Sequence, residues 1–318
     1  MKYYMAPMEG ITGYIYRNAH KNCYGAADKY FTPFIMPNSN RCMNAKETRD
    51  VLPEHNRDMY TVPQILTNSA DDFIRTAEEL KDMGYQEINL NLGCPSRTVV
   101  TKKKGAGFLE DPDLLDRFLD KIFEALTMDI SIKTRIGIEE EHEFEDLIRI
   151  YNKYPVKELI VHLRLQQDYY KNTPHLNVLE EAMEVSKNTI CYNGDLFTKG
   201  DLLKFMERFP EIDAVMMGRG ILTQPYLLDM IRTGDKTDLE TFSRFHEALC
   251  AGYCETISGD KNVLYKMKEL WFYMIHMFPD SGKYAKRIKK AQRLVEYKAV
   301  VEELFRTRPL EPLDRKWV

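Results

Sequence analysis

Short strand-like runs begin near Tyr3, Lys29, Val62, Glu87, Ile130, Leu159, Thr189 and Ala214, about thirty residues apart, with amphipathic stretches between most of them. That spacing is the rhythm of repeated βα units. The stretch 71–80 carries Phe73, Ile74, Ala77 and Leu80 on one helical face, with Asp71 and Asp72 in its first turn. The segment 113–126 repeats the design with Leu114, Leu115, Phe118, Leu119, Ile122 and Leu126 as its apolar stripe, and 144–151 and 178–185 follow the same pattern. Eight strands in about 235 residues predict a (β/α)8 TIM barrel, a fold of about 250 residues. An open doubly wound sheet would require Gly-x-Gly-x-x-Gly after its first strand, and Met8-Glu9-Gly10-Ile11-Thr12-Gly13 does not supply it.

After Gly234 the strands stop. Residues 239–258, 263–278 and 283–305 read as helices, the last as one or two, with breaks at Pro279 and Gly282. The division expected is a barrel over 1–235 and a small all-helical domain over 236–318. Charge is distributed unevenly between them. From Lys261 to Lys298 there are ten Lys/Arg and three Asp/Glu, a balance of +7, so a chain of net charge −4 leaves −11 elsewhere. A basic segment on an acidic body predicts a local polyanion-binding face, centred on Lys286, Arg287, Lys289 and Lys290. Trp271, Phe272 and Tyr273 upstream read as core.

A 44% hydrophobic, 30% charged composition is that of an ordinary soluble protein, with no apolar run of membrane-span length. The N-terminus enters a strand at once, so no signal peptide is expected. Six cysteines without a Cys-x-x-Cys pair predict a reducing, cytoplasmic setting and no metal site. A monomer is expected.

In a barrel, function sits where strands end at the C-terminal face. Those ends carry Pro7 and Met8, Gln64, Asn91 and Cys94, Lys133 and Arg135, His162 and Arg164, Asn193-Gly194-Asp195, and Gly218-Arg219. Buried polar residues need partners, and so many at one mouth point to a site. Cys94 stands on a sharp Gly-Cys-Pro turn before a Lys-rich loop that reads as mobile. Glycines after strands seven and eight, with Arg219, suit a phosphate.

These motifs, in this order, resemble the dihydrouridine synthases, flavin enzymes that reduce uridine in transfer RNA. The resemblance rests on Met5-Ala6-Pro7-Met8-Glu9-Gly10, Asn89-Leu90-Asn91-Leu92-Gly93-Cys94-Pro95 with Gly105-Ala106-Gly107, Lys133-Thr134-Arg135, His162-x-Arg164, Asn193-Gly194-Asp195 and Met217-Gly218-Arg219-Gly220. It implies FMN at the mouth: Pro7 and Met8 beneath the ring, Gln64 at its edge, Lys133 and His162 on ring or ribityl chain, and the phosphate on Asn193, Gly194, Asp195, Gly218 and Arg219. NADPH or NADH would be the reductant. Cys94 would donate a proton to C5 of the uracil while hydride reaches C6, with Asn91, Arg135 and Arg164 on the substrate and the basic helix on RNA phosphates. An unperturbed thiol, with a pKa of about 8.5, is protonated at neutral pH and can act as that acid. The RNA implied is tRNA, with ribosomal RNA or a small-molecule reductase of the dihydroorotate or dihydropyrimidine dehydrogenase type as alternatives. Leu163, Leu165, Asn172, Phe108 and Glu110 depart from the family pattern.

Overall fold

A computed structural model describes residues 1–314. By contacts the chain divides into two compact units: Met1–Pro7 with Asp28–Gly194 and Phe209–Met216, and Met8–Ala27 with Asp195–Arg208 and Met217–Val318.

The first unit holds the barrel. Its strands are β1 (Lys2–Met5), β2 (Lys29–Phe31), β3 (Thr61–Val62), β4 (Gln64–Ile65), β5 (Glu87–Leu92), β6 (Asp129–Arg135), β7 (Leu159–His162), β8 (Ile190–Asn193) and β9 (Ala214–Met217). They form one parallel sheet in the order β3-β2-β1-β9-β8-β7-β6-β5-β4. The two ends of that order are consecutive in sequence, separated by Pro63 alone. Proline has no N–H for the ladder, so the strand expected at Val62 is registered as two pieces. The Pro63 carbonyl still accepts from Asn89 N at 2.9 Å. The sheet therefore closes on itself as the expected eight-stranded barrel.

Alternation sends one face of each strand inward. Tyr4, Ala6, Phe31, Val62, Ile160, Cys191, Ala214 and Met216 form an apolar cluster inside. The helices between strands bury the faces the pattern predicts: Phe73, Ala77 and Leu80 in Ala70–Asp82, and Leu115, Phe118, Leu119 and Ile122 in Pro112–Ala125. Ser69 and Asp111 cap their first turns. Leu114 differs from expectation at 37% exposed, because it lies in the capped first turn, ahead of the packed ones.

At the N-terminal end of the barrel sits a charge cluster. Lys29 Nζ donates to both Glu87 oxygens, at 2.8 and 3.0 Å, and to Glu158 at 3.4 Å. Tyr4 and Tyr60 donate their hydroxyls to Glu158 and Glu87, at 2.7 and 3.0 Å.

The second unit is helical. The expected helix over 283–305 is two, Gly282–Lys290 and Leu294–Thr307. Leu239–Thr256, Asp260–Met274 and Leu294–Thr307 enclose a ring cluster of Phe242, His246, Trp271, Tyr297 and Phe305. Trp271 Nε1 donates to Tyr297 Oη at 2.6 Å, and that hydroxyl lies 2.5 Å from His246 Nε2. An indole only donates, so the Tyr297 proton points to the imidazole. Burial pushes His246 down to about 4, which keeps it neutral and able to accept. Among the described residues no helix is long and apolar enough to cross a membrane.

Candidate active site

The geometry around Cys94 begins two residues before its turn. Asn91 ends the inward row of β5, and its Oδ1 accepts from Gly93 N and Cys94 N at 3.1 and 3.0 Å. This Asx turn fixes where the thiol leaves the strand. Because Asn91 Oδ1 is committed to those two N–H groups, its Nδ2 must donate, and it does so to Gln64 Oε1 at 2.7 Å. Gln64 Nε2 in turn donates to Asn89 Oδ1 at 2.8 Å, and Asn89 Nδ2 to Ser131 Oγ at 3.0 Å. Each amide's orientation thus follows from the one above it, down the wall formed by β4, β5 and β6. Gln64 and Asn89 are fully buried, and Asn91 nearly so. Asn89 and Ser131 were not singled out by sequence reasoning. Their signal was their place in the register, Gln64↔Asn89↔Ser131, which puts three polar residues on one inward row.

The Lys-rich segment after Cys94, expected to be a mobile loop, is exposed at Lys102 and Lys103 and makes hydrogen bonds to its surroundings. Asn68 Nδ2 donates to the carbonyls of Lys102 and Lys103, and Lys103 pairs with Glu110. Ala106 N donates to Cys94 O at 3.1 Å. A Cβ at Gly105, where φ is +55°, would lie 2.9 Å from Cys94 O, so glycine permits both the left-handed turn and the close approach.

Lys133 pairs with Asn91 across β5 and β6, and so faces inward beside it. Among the described residues its ammonium has no hydrogen-bond partner. Burial first, and the Arg135 charge second, hold it down to about 8. A cation in that position favours an anion or an electron-rich heterocycle arriving in the mouth.

Arg135 and Arg164, expected on the substrate, are held by backbone carbonyls and by His162 in this structure. Both are 0% exposed. Arg135 donates to the carbonyls of Gly93, Leu165 and Tyr169 at 3.0, 2.7 and 2.7 Å, tying the Cys94 turn to the loop after β7. Arg164 Nε donates to Asn172 O at 2.7 Å, and its Nη1 lies 3.2 Å from His162 Nε2. Guanidinium cannot accept, so Nε2 does, and the His162 proton is on Nδ1. Tyr170 stands over both groups, 5.5 Å from the Arg135 guanidinium and 6.0 Å from the His162 ring. Asn193 spends Nδ2 on Met216 O at 2.8 Å, and a Cβ on Gly194 would collide with the Tyr192 phenol. Pro7 is half-buried at the end of β1.

Residues 4–311 match the family described as Dihydrouridine synthase (Dus). The chain belongs to the dihydrouridine synthase family. A "Probable tRNA-dihydrouridine synthase" of Staphylococcus aureus (strain COL) is 26% identical over 311 residues, covering 94% of this chain and 92% of the relative. The "tRNA-dihydrouridine synthase B" of Pasteurella multocida (strain Pm70) is 24% identical over 231 residues, covering 72% of this chain and 68% of that one. The fold is shared with morphinone reductase solved in complex with tetrahydroNAD, at a TM-score of 0.52 and 12% identity over 76% of this chain and 90% of the other. The chain is accordingly an oxidoreductase of the dihydrouridine synthase type, as its motifs implied.

Within the family, this member's departures acquire a structural account. Leu163 and Leu165 are buried. Asn172 Nδ2 donates to Asp168 Oδ1, at 2.5 Å, while its carbonyl holds Arg164. Asp168 Oδ2 accepts from Leu165 N at 2.8 Å and lies 3.0 Å from His175 Nε2, whose Nδ1 is 2.6 Å from Glu141. Asn172 and the backbone of Leu165 therefore belong to a hydrogen-bonded network with Asp168, His175 and Glu141.

The other expected residues of this dihydrouridine synthase lie in the second unit. Met8 N donates to Thr12 Oγ1 at 2.8 Å. Arg219 pairs with Asp195 at 2.6 Å and lies over Phe197, and Gly218 precedes the short helix Arg219–Thr223. In Gly282–Lys290, Tyr284 and Ile288 are buried, which turns Lys286, Arg287, Lys289 and Lys290 to solvent. Arg287 is paired with Glu303 at 2.7 Å.

Asn91→Ala should destabilise the barrel. It removes the acceptor of two N–H groups and the donor to Gln64, and an unsatisfied buried group costs about 1–3 kcal/mol. Thermal unfolding measures the loss; an unchanged midpoint would mean water replaces the amide.

Proposed function

We propose that the chain reduces a uridine of tRNA to 5,6-dihydrouridine at the barrel mouth, with Cys94 as the acid. The observation that carries this reading is the juxtaposition at the ends of β5 and β6: a thiol turn fixed through Asn91 beside the half-buried ammonium of Lys133, which has no hydrogen-bond partner among the described residues. The names of the two relatives support tRNA as the polymer.

The residues present fit FMN. Lys133 offers a charge to an electron-rich ring, His162 offers an N–H at Nδ1, and Gln64 lies one inward position deeper on the wall, in register with Asn89 and Ser131. The assignment of the phosphate to Asn193, Gly194, Asp195, Gly218 and Arg219 rests on the sequence motifs, as do those of Pro7 and Met8. Bound FMN would supply hydride for C6, with NADPH or NADH as the reductant. Cys94 Sγ–H gives its proton to C5, completing addition of two hydrogens across the double bond, and recovers a proton from solvent. Asn91, Arg135 and Arg164 stand beside the base in this reading; Asn91 also holds the thiol in line through the Gly93 and Cys94 N–H groups, and Arg135 ties that turn to the loop after β7. A uracil in folded RNA must leave its stack to reach such a site.

The test is an absorbance spectrum of the purified protein, followed by reduction with NADPH and reoxidation with unmodified tRNA. A flavin spectrum and reoxidation faster with tRNA than with buffer are expected. Reoxidation indifferent to tRNA but quick with free pyrimidines or enones would reject RNA as substrate, and a protein that binds no flavin would reject the site.

A further inference from the structure

The helical unit contains a feature that uridine reduction does not use. Trp271 is core, as expected, but Phe272 is 61% exposed and Tyr265, seven residues earlier on the same helix, is 57% exposed. Both line a groove of about 670 Å³ between Asp260–Met274 and Gly282–Lys290, with Lys268, Lys289, Glu269 and Ile288. That volume lies within the range of small-molecule sites, about 300–1,000 Å³. Phe272 and Tyr273 meet edge to face, with ring centroids 5.1 Å apart and planes at 90°. Lys286 and Lys290 continue the positive rim along the second helix.

We infer that this groove receives one unstacked base of the RNA, remote in sequence from the barrel motifs, while the surrounding lysines hold its flanking phosphates. The inference rests on the RNA reading above. Charge complementarity selects the occupant: a +7 segment on a chain of net charge −4 favours a polyanion. The Glu269 carboxylate is paired with Lys266 at 2.7 Å, so the rim keeps its net positive charge and the aromatic faces are left to meet the base. An exposed aromatic beside a basic rim is how single-stranded nucleic acid is held without dependence on sequence.

The experiment uses the full chain, unmodified tRNA and a single-stranded RNA oligonucleotide, with affinity measured across a salt series. Phe272→Ala should weaken binding about ten-fold, from the worth of one stacked base, by the same factor at every salt concentration. Phe272→Trp should restore it. Lys289→Gln should instead flatten the slope of log affinity against log salt, by about 0.7 for a single strand. Because Phe272 is exposed, its alanine variant should match wild type in circular dichroism and thermal midpoint. Wild-type affinity in Phe272→Ala alongside a flattened slope in Lys289→Gln would overturn the base site and leave only charge. A wild-type dimer in sedimentation that Phe272→Ala dissociates would overturn it in favour of a second copy of the chain. Failure of the parent reading looks different: RNA binding would keep its dependence on Phe272 while tRNA fails to reoxidise the reduced protein. Absence of RNA binding in the wild type would sink both.

Discussion

Cys94→Ala should slow the tRNA-dependent reoxidation of the reduced protein by about 10²–10⁴-fold, the usual contribution of a positioned general acid. The substitution is small, and the turn around it is held by backbone groups. Asn91 Oδ1 still accepts from N–H 93 and 94, Arg135 still donates to Gly93 O, and Ala106 N still donates to the carbonyl of residue 94. Thermal midpoint and RNA affinity should therefore stay near wild type while the chemical step is lost. Cys94→Ser separates geometry from acidity, because a hydroxyl occupies nearly the same place but gives up its proton far less readily. If acidity is what matters, serine resembles alanine. Wild-type single-turnover rates in both variants would mean that the proton comes from another group or from water, and Cys94 would then be a turn residue.

The barrel was legible because its information is periodic. Each strand-like run and each helical stripe repeats a requirement that burial imposes, and nothing distant has to be known. The split at Pro63 is the exception that follows from covalent structure, since a missing N–H interrupts the ladder without moving the chain. The polar residues at the strand ends could be found for the same reason, as positions where an apolar inward row turns hydrophilic. What their side chains bond to could not be read. A guanidinium aimed into the mouth and one hooked onto three carbonyls look alike in sequence, and only the path of the loop after β7 distinguishes them for Arg135. Asn193 likewise commits its amide to Met216 O, a partner set by strand register. Phe272 escaped for the opposite reason. Beside Trp271 it shares the apolar character of a core residue, yet adjacent positions on a helix lie 100° apart, so one can be buried while the next faces solvent.

The largest loss of stability should come from Lys29→Met, at the end of the barrel away from the chemistry. Lys29 is the cation given to two buried carboxylates, Glu87 and Glu158. Burial already raises the Glu158 pKa, and Lys29 opposes that rise more strongly than any other group. Breaking a buried ion pair by removing one partner costs about 3–5 kcal/mol, because the remaining charge keeps its desolvation penalty. For a unit of this size that is a fall of about 6–20 °C in midpoint. The sign of the pH dependence follows. Without Lys29, the folded-state pKa of Glu158 moves further above its unfolded value. A group raised on folding contributes stability that is complete below its unfolded pKa and is lost as pH rises through the folded one. The deficit of Lys29→Met should accordingly be small at acid pH and grow toward neutrality. Tyr4 and Tyr60 sharpen this expectation, since each donates its hydroxyl to one of the two carboxylates and can remain bonded when that carboxyl is protonated. Replacing Glu87 and Glu158 by glutamine in the Lys29→Met background should then recover most of the lost midpoint, because neutral amides remove the stranded charges. A deficit independent of pH and unrelieved by the two glutamines would show that packing of the lysine stem, rather than charge, is what Lys29 contributes.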